Sequence, residues 1–148
     1  MEGFPSAVLR LKFATDGSLY VGMSNRGWSS LGNKAYGLQK VGYTGEVPLA
    51  IKEMRAVPGG FEVEFTQPPP TPVEFSLLSF TYNYASSYGG PEIHRKSHNV
   101  GVYRVQDKPN TYALEVDGLR GMYVYELRAK LPSAKDLQAY YTLNSVIK

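Results

Sequence analysis

Trp28, Tyr82, Tyr84 and Tyr88 are the side chains whose type and spacing most readily suggest a chemistry. An aromatic ring offers a flat apolar face with few rotors, so the C–H face of a sugar packs on it at small entropic cost. Asn25, Arg26 and Asn83 stand beside those rings in the chain and can hydrogen-bond sugar hydroxyls. Together these seven residues form the candidate ligand-binding set. Trp28, the sole tryptophan, lies in the Gly/Ser/Asn stretch NRGWSSLGN, where it is either an exposed platform or a plug at a seam. Tyr82 and Tyr84 are either core residues at the end of a strand or rings carried to a rim. Tyr140 and Tyr141 are adjacent, so in a strand one points inward and the other outward, where it extends a platform.

Other chemistries find weaker support. His94 and His98, in EIHRKSH, have a spacing that would join them on a helix, but the segment follows Gly-Gly-Pro and reads as an exposed loop between strands. No serine has the G-x-S-x-G surroundings of a nucleophile elbow. Glu53, Glu62 and Glu64 fall on strand positions that face water. Asp16, Asp107 and Asp117 are scattered, each in a turn where Asp is favoured. There is no cysteine, which excludes disulfides, thiol catalysis and Cys-ligated zinc. The expectation is a protein without enzymatic activity, with no catalytic residue, no metal ligand and no cofactor.

The bulk properties agree with a binding module. The chain has 148 residues, a net charge of +3 and twelve tyrosines. So weak a charge, with no basic cluster longer than Arg95-Lys96, gives no ground for a nucleic-acid partner. No apolar run reaches the length of a membrane span, so no membrane partner is expected. The opening MEGFPSAVLRLKF lacks the apolar core of a signal peptide.

The elements that must carry these residues read as short strands. VLRLKF (8–13) and SLYVGMS (18–24) flank a Thr-Asp-Gly-Ser turn, and GLQKVGY (37–43) is a third strand. Thr44–Pro48 is a junction. Beyond it lie about seven strands: 49–57, 61–67, the Tyr-rich stretch from Phe75, 101–106, 111–116, 122–129 and 140–144. In FEVEFTQ, Phe61, Val63 and Phe65 point inward and Glu62 and Glu64 outward. In the Tyr-rich strand Leu78, Phe80, Tyr82 and Tyr84 share a face, with the part through Phe80 expected in the core. Residues 131–140 hold one helical turn at most. The strand count is that of an all-β, Ig/fibronectin type III-like β-sandwich, spanning 46–148, with an N-terminal β-hairpin or small-sheet appendage over 1–45.

Two stretches carry resemblances. Leu119, Gly121 and Tyr125 are placed like the Leu, Gly and Tyr of the fibronectin type III loop that ends in a tyrosine corner, and Tyr123 lies on the same face and competes for that role. FATDGSLYVGMSNRGW and GLQKVGYTGEVP resemble the last blade of propellers related to quinoprotein glucose and sorbosone dehydrogenases. EMRAVPGGFEVEFTQPPP and AYYTLN resemble the Ig-like domain that follows such propellers in large exported bacterial proteins. The resemblance implies a secreted or periplasmic parent, of which this chain is a piece, and an attached catalytic or propeller domain as neighbour. One blade cannot form a central cofactor site, and no residue matches a quinone-site or calcium-site motif. The expected function is therefore non-catalytic binding of a polysaccharide or oligosaccharide, of β-glucan type, by aromatic stacking. The alternative is an Ig-like structural domain that docks the propeller of a sugar-oxidising protein.

Overall fold

The computed structural model describes the chain apart from residues 1–2, 26–31, 84, 87–88 and 133–134. It divides into two compact units, Met1–Glu46 and Val47–Lys148. All regular structure among the described residues is antiparallel β, in eleven strands and three sheets.

The first unit holds β1 (Val8–Phe13), β2 (Leu19–Ser24) and β3 (Tyr36–Val41), in that order across one sheet. The β1–β2 turn is fixed by Asp16, whose Oδ1 accepts from the Ser18 amide at 3.0 Å and the Ser18 hydroxyl at 2.5 Å. Gly17 then takes a φ of 78°, a left-handed conformation that costs glycine little. The Ser18 hydroxyl, followed by the Lys40 ammonium at 2.9 Å, lowers the Asp16 carboxyl to about 2. The register places Leu11 opposite Val21 and Phe13 opposite Leu19, which pairs on with Val41. One face of this sheet is therefore apolar.

The second unit is built from eight strands in two sheets, β4-β5-β9-β8 and β11-β10-β6-β7. The first comprises β4 (Ile51–Val57), β5 (Gly60–Phe65), β9 (Thr111–Val116) and β8 (Val100–Arg104). The second comprises β11 (Leu137–Leu143), β10 (Tyr123–Lys130), β6 (Glu74–Tyr82) and β7 (Glu92–His98). Alternation decides which side of each strand is buried. In β5, Phe61, Val63 and Phe65 are fully buried, while Glu62 and Glu64 join Lys52, Glu53 and Arg55 in an ion-pair cluster on the outside.

The two sheets share one core. Met54, Phe61, Val63, Phe65, Tyr112 and Leu114 of one meet Leu77, Tyr125, Leu127 and Leu143 of the other. Rings lock the sheets at two places. Phe61 packs on Tyr125 at 5.2 Å and edge-on to Tyr141 at 5.6 Å, and Phe75 packs on Phe65 at 6.3 Å and Tyr112 at 5.3 Å. Burying each such side chain contributes roughly 1.5–3 kcal/mol. The β4–β5 hairpin turns at Pro58-Gly59, with Gly59 at φ 75°. Gly60 must lack a side chain, because a Cβ there would lie 1.8 Å from the Leu114 carbonyl oxygen.

The link into β10 is pinned by Tyr125. Its hydroxyl accepts from the Arg120 amide at 2.7 Å and donates to the Arg120 carbonyl at 3.1 Å, five residues back. Tyr123 takes a different role: its hydroxyl accepts from the Arg120 guanidinium at 3.1 Å, and that guanidinium lies over the Tyr123 ring. Of the two tyrosines the sequence left open, Tyr125 makes the backbone corner.

Two expectations need correction. EIHRKSH is a strand, β7, not a loop. It lacks an apolar period because it is an edge strand, paired among the described residues only with β6, and its Arg95 and Lys96 suit an edge that must not recruit another strand. Leu78 and Phe80 do share a face with Tyr82, but not the core face. The register sets Ser79 opposite Tyr125 and Leu77 opposite Leu127, so Phe75, Leu77 and Ser79 point inward. Leu78 and Phe80 lie on the outer side of the sheet, opposite Glu126 and Val124. Over 131–140, where one helical turn at most is expected, the described residues hold no helix, and β11 begins at Leu137.

Candidate functional site

The outer face of sheet β11-β10-β6-β7 gathers the side chains best suited to hold a ligand. Its rows follow from the register. Ser76, Arg128 and Gln138 form one row. Ser97, Leu78, Glu126 and Tyr140 form the next, and Phe80, Val124 and Thr142 the one beyond. Tyr82 continues the β6 side past Phe80.

An apolar strip runs down the β6 side of this face. Phe80 is 2% exposed although it is outside the sandwich core. Tyr82 stands edge-on to its ring at 5.5 Å, and the Arg95 guanidinium covers it at 5.7 Å. Arg95 is also ion-paired with Glu92. Tyr82 remains 51% exposed.

A polar network occupies the β10–β11 side. Arg128 reaches the Glu126 carboxylate through both Nε and Nη2 at 2.7 Å. Gln138 Nε2 donates to the same carboxylate at 2.7 Å and lies 2.7 Å from the Tyr140 hydroxyl. The hydrogen bond it donates to Glu126 is the main reason that the Arg128 guanidinium holds its proton more tightly than usual. Glu126 is only 7% exposed, whereas Tyr140 is 58% exposed. Between the strip and the network lies a groove of about 420 Å³, with Ser76, Leu78, Arg95, Ser97, Glu126 and Arg128 in its lining. That volume falls within the roughly 300–1,000 Å³ usual for small-molecule sites.

The residues singled out in the sequence are distributed unevenly. Tyr82 and Asn83 are exposed at the end of β6. Asn25 is exposed just after β2 in the first unit, its amide bonded to the Ala35 carbonyl. Trp28, Arg26, Tyr84 and Tyr88 lie outside the described residues. Tyr140 points outward, and Tyr141 packs inward on Phe61, as adjacent strand residues must. Glu126, Arg128, Gln138 and Arg95 were not singled out. Alternation in VYELRA does put Glu126 and Arg128 on one face, but only the β10–β11 register brings Gln138 to them.

One pair has the look of catalytic machinery and is better explained as structure. His98 Nε2 lies 2.8 Å from Ser79 Oγ, a nucleophile–base separation. Ser79 is fully buried on the core face, and the His98 ring rests against Tyr125 at 5.6 Å. Among the described residues Nδ1 of His98 has no hydrogen-bond partner, so none of their carboxylates orients the ring. Burial lowers the His98 pKa, and the charges of Lys96 and Arg120 act in the same direction. The Asp117 backbone acts in the opposite direction. The pair stabilises the β6–β7 pairing as a neutral contact. Among the described residues no three His, Cys, Asp or Glu side chains cluster as a metal site would require.

No protein-family model, no curated protein and no solved structure matches this chain.

Proposed function

We propose that the chain is a non-catalytic carbohydrate-binding module that holds a polysaccharide, of β-glucan type, on the outer face of sheet β11-β10-β6-β7. The observation that carries this reading is the pairing of exposed rings with fixed polar groups on one face. Tyr82 and Tyr140 supply the rings, and Arg128, Glu126 and Gln138 the hydrogen-bonding groups. Strand spacing and rise put the two tyrosines roughly 17 Å apart along a diagonal of the sheet. A linear chain crossing that diagonal stacks on both rings and runs beside the groove, whose Leu78 and Glu126 stand one row from Phe80 and Val124. The strand orders β4-β5-β9-β8 and β11-β10-β6-β7, with the Tyr125 corner, support an Ig/fibronectin III-like version of the sandwich.

The test is affinity electrophoresis through gels containing each of a panel of soluble polysaccharides. The parent chain is retarded by at least one glucan, and Tyr140→Ala and Tyr82→Ala each weaken retardation several-fold. Absence of retardation on every polysaccharide overturns the proposal.

A second reading, that the chain docks a neighbouring propeller, draws on the first unit. There Leu11 and Phe13 of the apolar sheet face are exposed. That reading expects Leu11→Ser and Phe13→Ser to abolish capture of the propeller while leaving glucan retardation unchanged.

A further inference from the structure

The Glu126 carboxylate is used asymmetrically. Arg128 Nε, Arg128 Nη2 and Gln138 Nε2, each at 2.7 Å, all reach the same oxygen, Oε1. Oε2 makes no hydrogen bond among the described residues, although the side chain is more than nine-tenths buried and lines the groove. An ionised carboxylate has about four acceptor positions, and Oε2 is not a sealed, unsatisfied atom: the groove leaves it open to solvent. Oε2 is thus a fixed, unused acceptor on the groove wall. Arg128 is used asymmetrically as well, since Nη1 makes no hydrogen bond among the described residues.

The surrounding charges narrow the class of ligand. Arg128 is paired with Glu126 and Arg95 with Glu92, so the four charges cancel. A cation entering the groove meets two guanidinium groups, and an anion meets the free Glu126 oxygen. A neutral group that donates to a carboxylate and accepts from a guanidinium is favoured by both. Adjacent hydroxyls on a sugar ring do this, and Leu78 offers an apolar surface for the C–H face of that ring.

We propose that the groove between β6, β7 and β10 is a sugar subsite. Glu126 Oε2 accepts from one ring hydroxyl, and Arg128 Nη1 donates to its neighbour. The inference rests on the carbohydrate-binding reading above and adds the residues that select hydroxyl geometry.

The test uses the full chain and the polysaccharide that best retards it. Glu126→Gln keeps an amide oxygen for Arg128 and Gln138 and replaces the free acceptor with a donor. Its affinity falls about tenfold to a hundredfold. Ser97→Trp, at an exposed edge position of the groove lining, fills the groove while leaving the carboxylate itself unaltered and gives a comparable loss. This second variant decides the matter if Glu126→Gln fails to fold. If the parent binds and Tyr140→Ala weakens it while both groove variants bind as the parent does, the subsite is overturned and the module reading stands. If the parent binds no polysaccharide, both are overturned.

Discussion

Replacing Tyr125 by Phe removes one oxygen and leaves the packing of the ring in place. That oxygen makes two hydrogen bonds to the Arg120 backbone, at 2.7 and 3.1 Å, and the ring is fully buried between Phe61 and His98. A net hydrogen bond contributes about 0.5–1.5 kcal/mol, and the partners left behind are half-buried, so the loss is about 1–3 kcal/mol. For a unit of roughly 100 residues this lowers the thermal midpoint by about 5–15 °C. Tyr123→Phe is the control. It loses a single bond to the Arg120 side chain and keeps the ring beneath the guanidinium, so the expected cost is under about 1 kcal/mol. Thermal and urea unfolding followed by far-UV circular dichroism measures both. A Tyr125→Phe variant within about 0.5 kcal/mol of the parent, or a larger loss for Tyr123→Phe, refutes the assignment of the corner to Tyr125.

Two further predictions concern the same unit. His98 has a folded pKa below its ordinary 6.5 because burial disfavours the charged ring. Between the folded value and 6.5 the unfolded chain therefore binds more protons than the folded one. Stability is full above about pH 7 and falls as pH drops through 6.5, levelling off below the folded pKa. Urea unfolding at intervals from pH 7.5 to 5.5 checks this, and His98→Gln removes most of the slope. Gly60→Ala drives a Cβ into the Leu114 carbonyl and costs about 1–3 kcal/mol or more, read as a lowered urea midpoint. A neutral result there would mean that β5 and β9 can separate without loss of packing.

The parts of the fold that were legible were those with a clean period. FEVEFTQ reads as a half-buried strand because every second residue is apolar, and its inward set is the set found buried. The tyrosine corner was legible because Leu119, Gly121 and Tyr125 stand at fixed offsets, but choosing between Tyr123 and Tyr125 needed the hydroxyl positions. β7 was hidden because an edge strand with one buried residue, His98, carries no hydrophobic alternation. The inside and outside of β6 were exchanged for a related reason. Both of its faces are apolar, so period 2 groups Leu78 with Phe80 but cannot say which group is inward. The groove joins the consecutive strands β6 and β7 to β10, far along the chain, and its Glu126 signal appears only once β11 supplies Gln138.

The central claim is that a sugar chain lies across the outer face of β11-β10-β6-β7. A ¹H–¹⁵N correlation titration of the intact chain with soluble gluco-oligosaccharides tests it most directly. The expected result is a saturable set of shifts confined to Tyr82, Ser97, Glu126, Arg128, Gln138 and Tyr140 and their strand neighbours, with the buried β5 residues Phe61–Phe65 unmoved. Saturating shifts centred on the first unit, or none with any oligosaccharide at millimolar concentration, would contradict it.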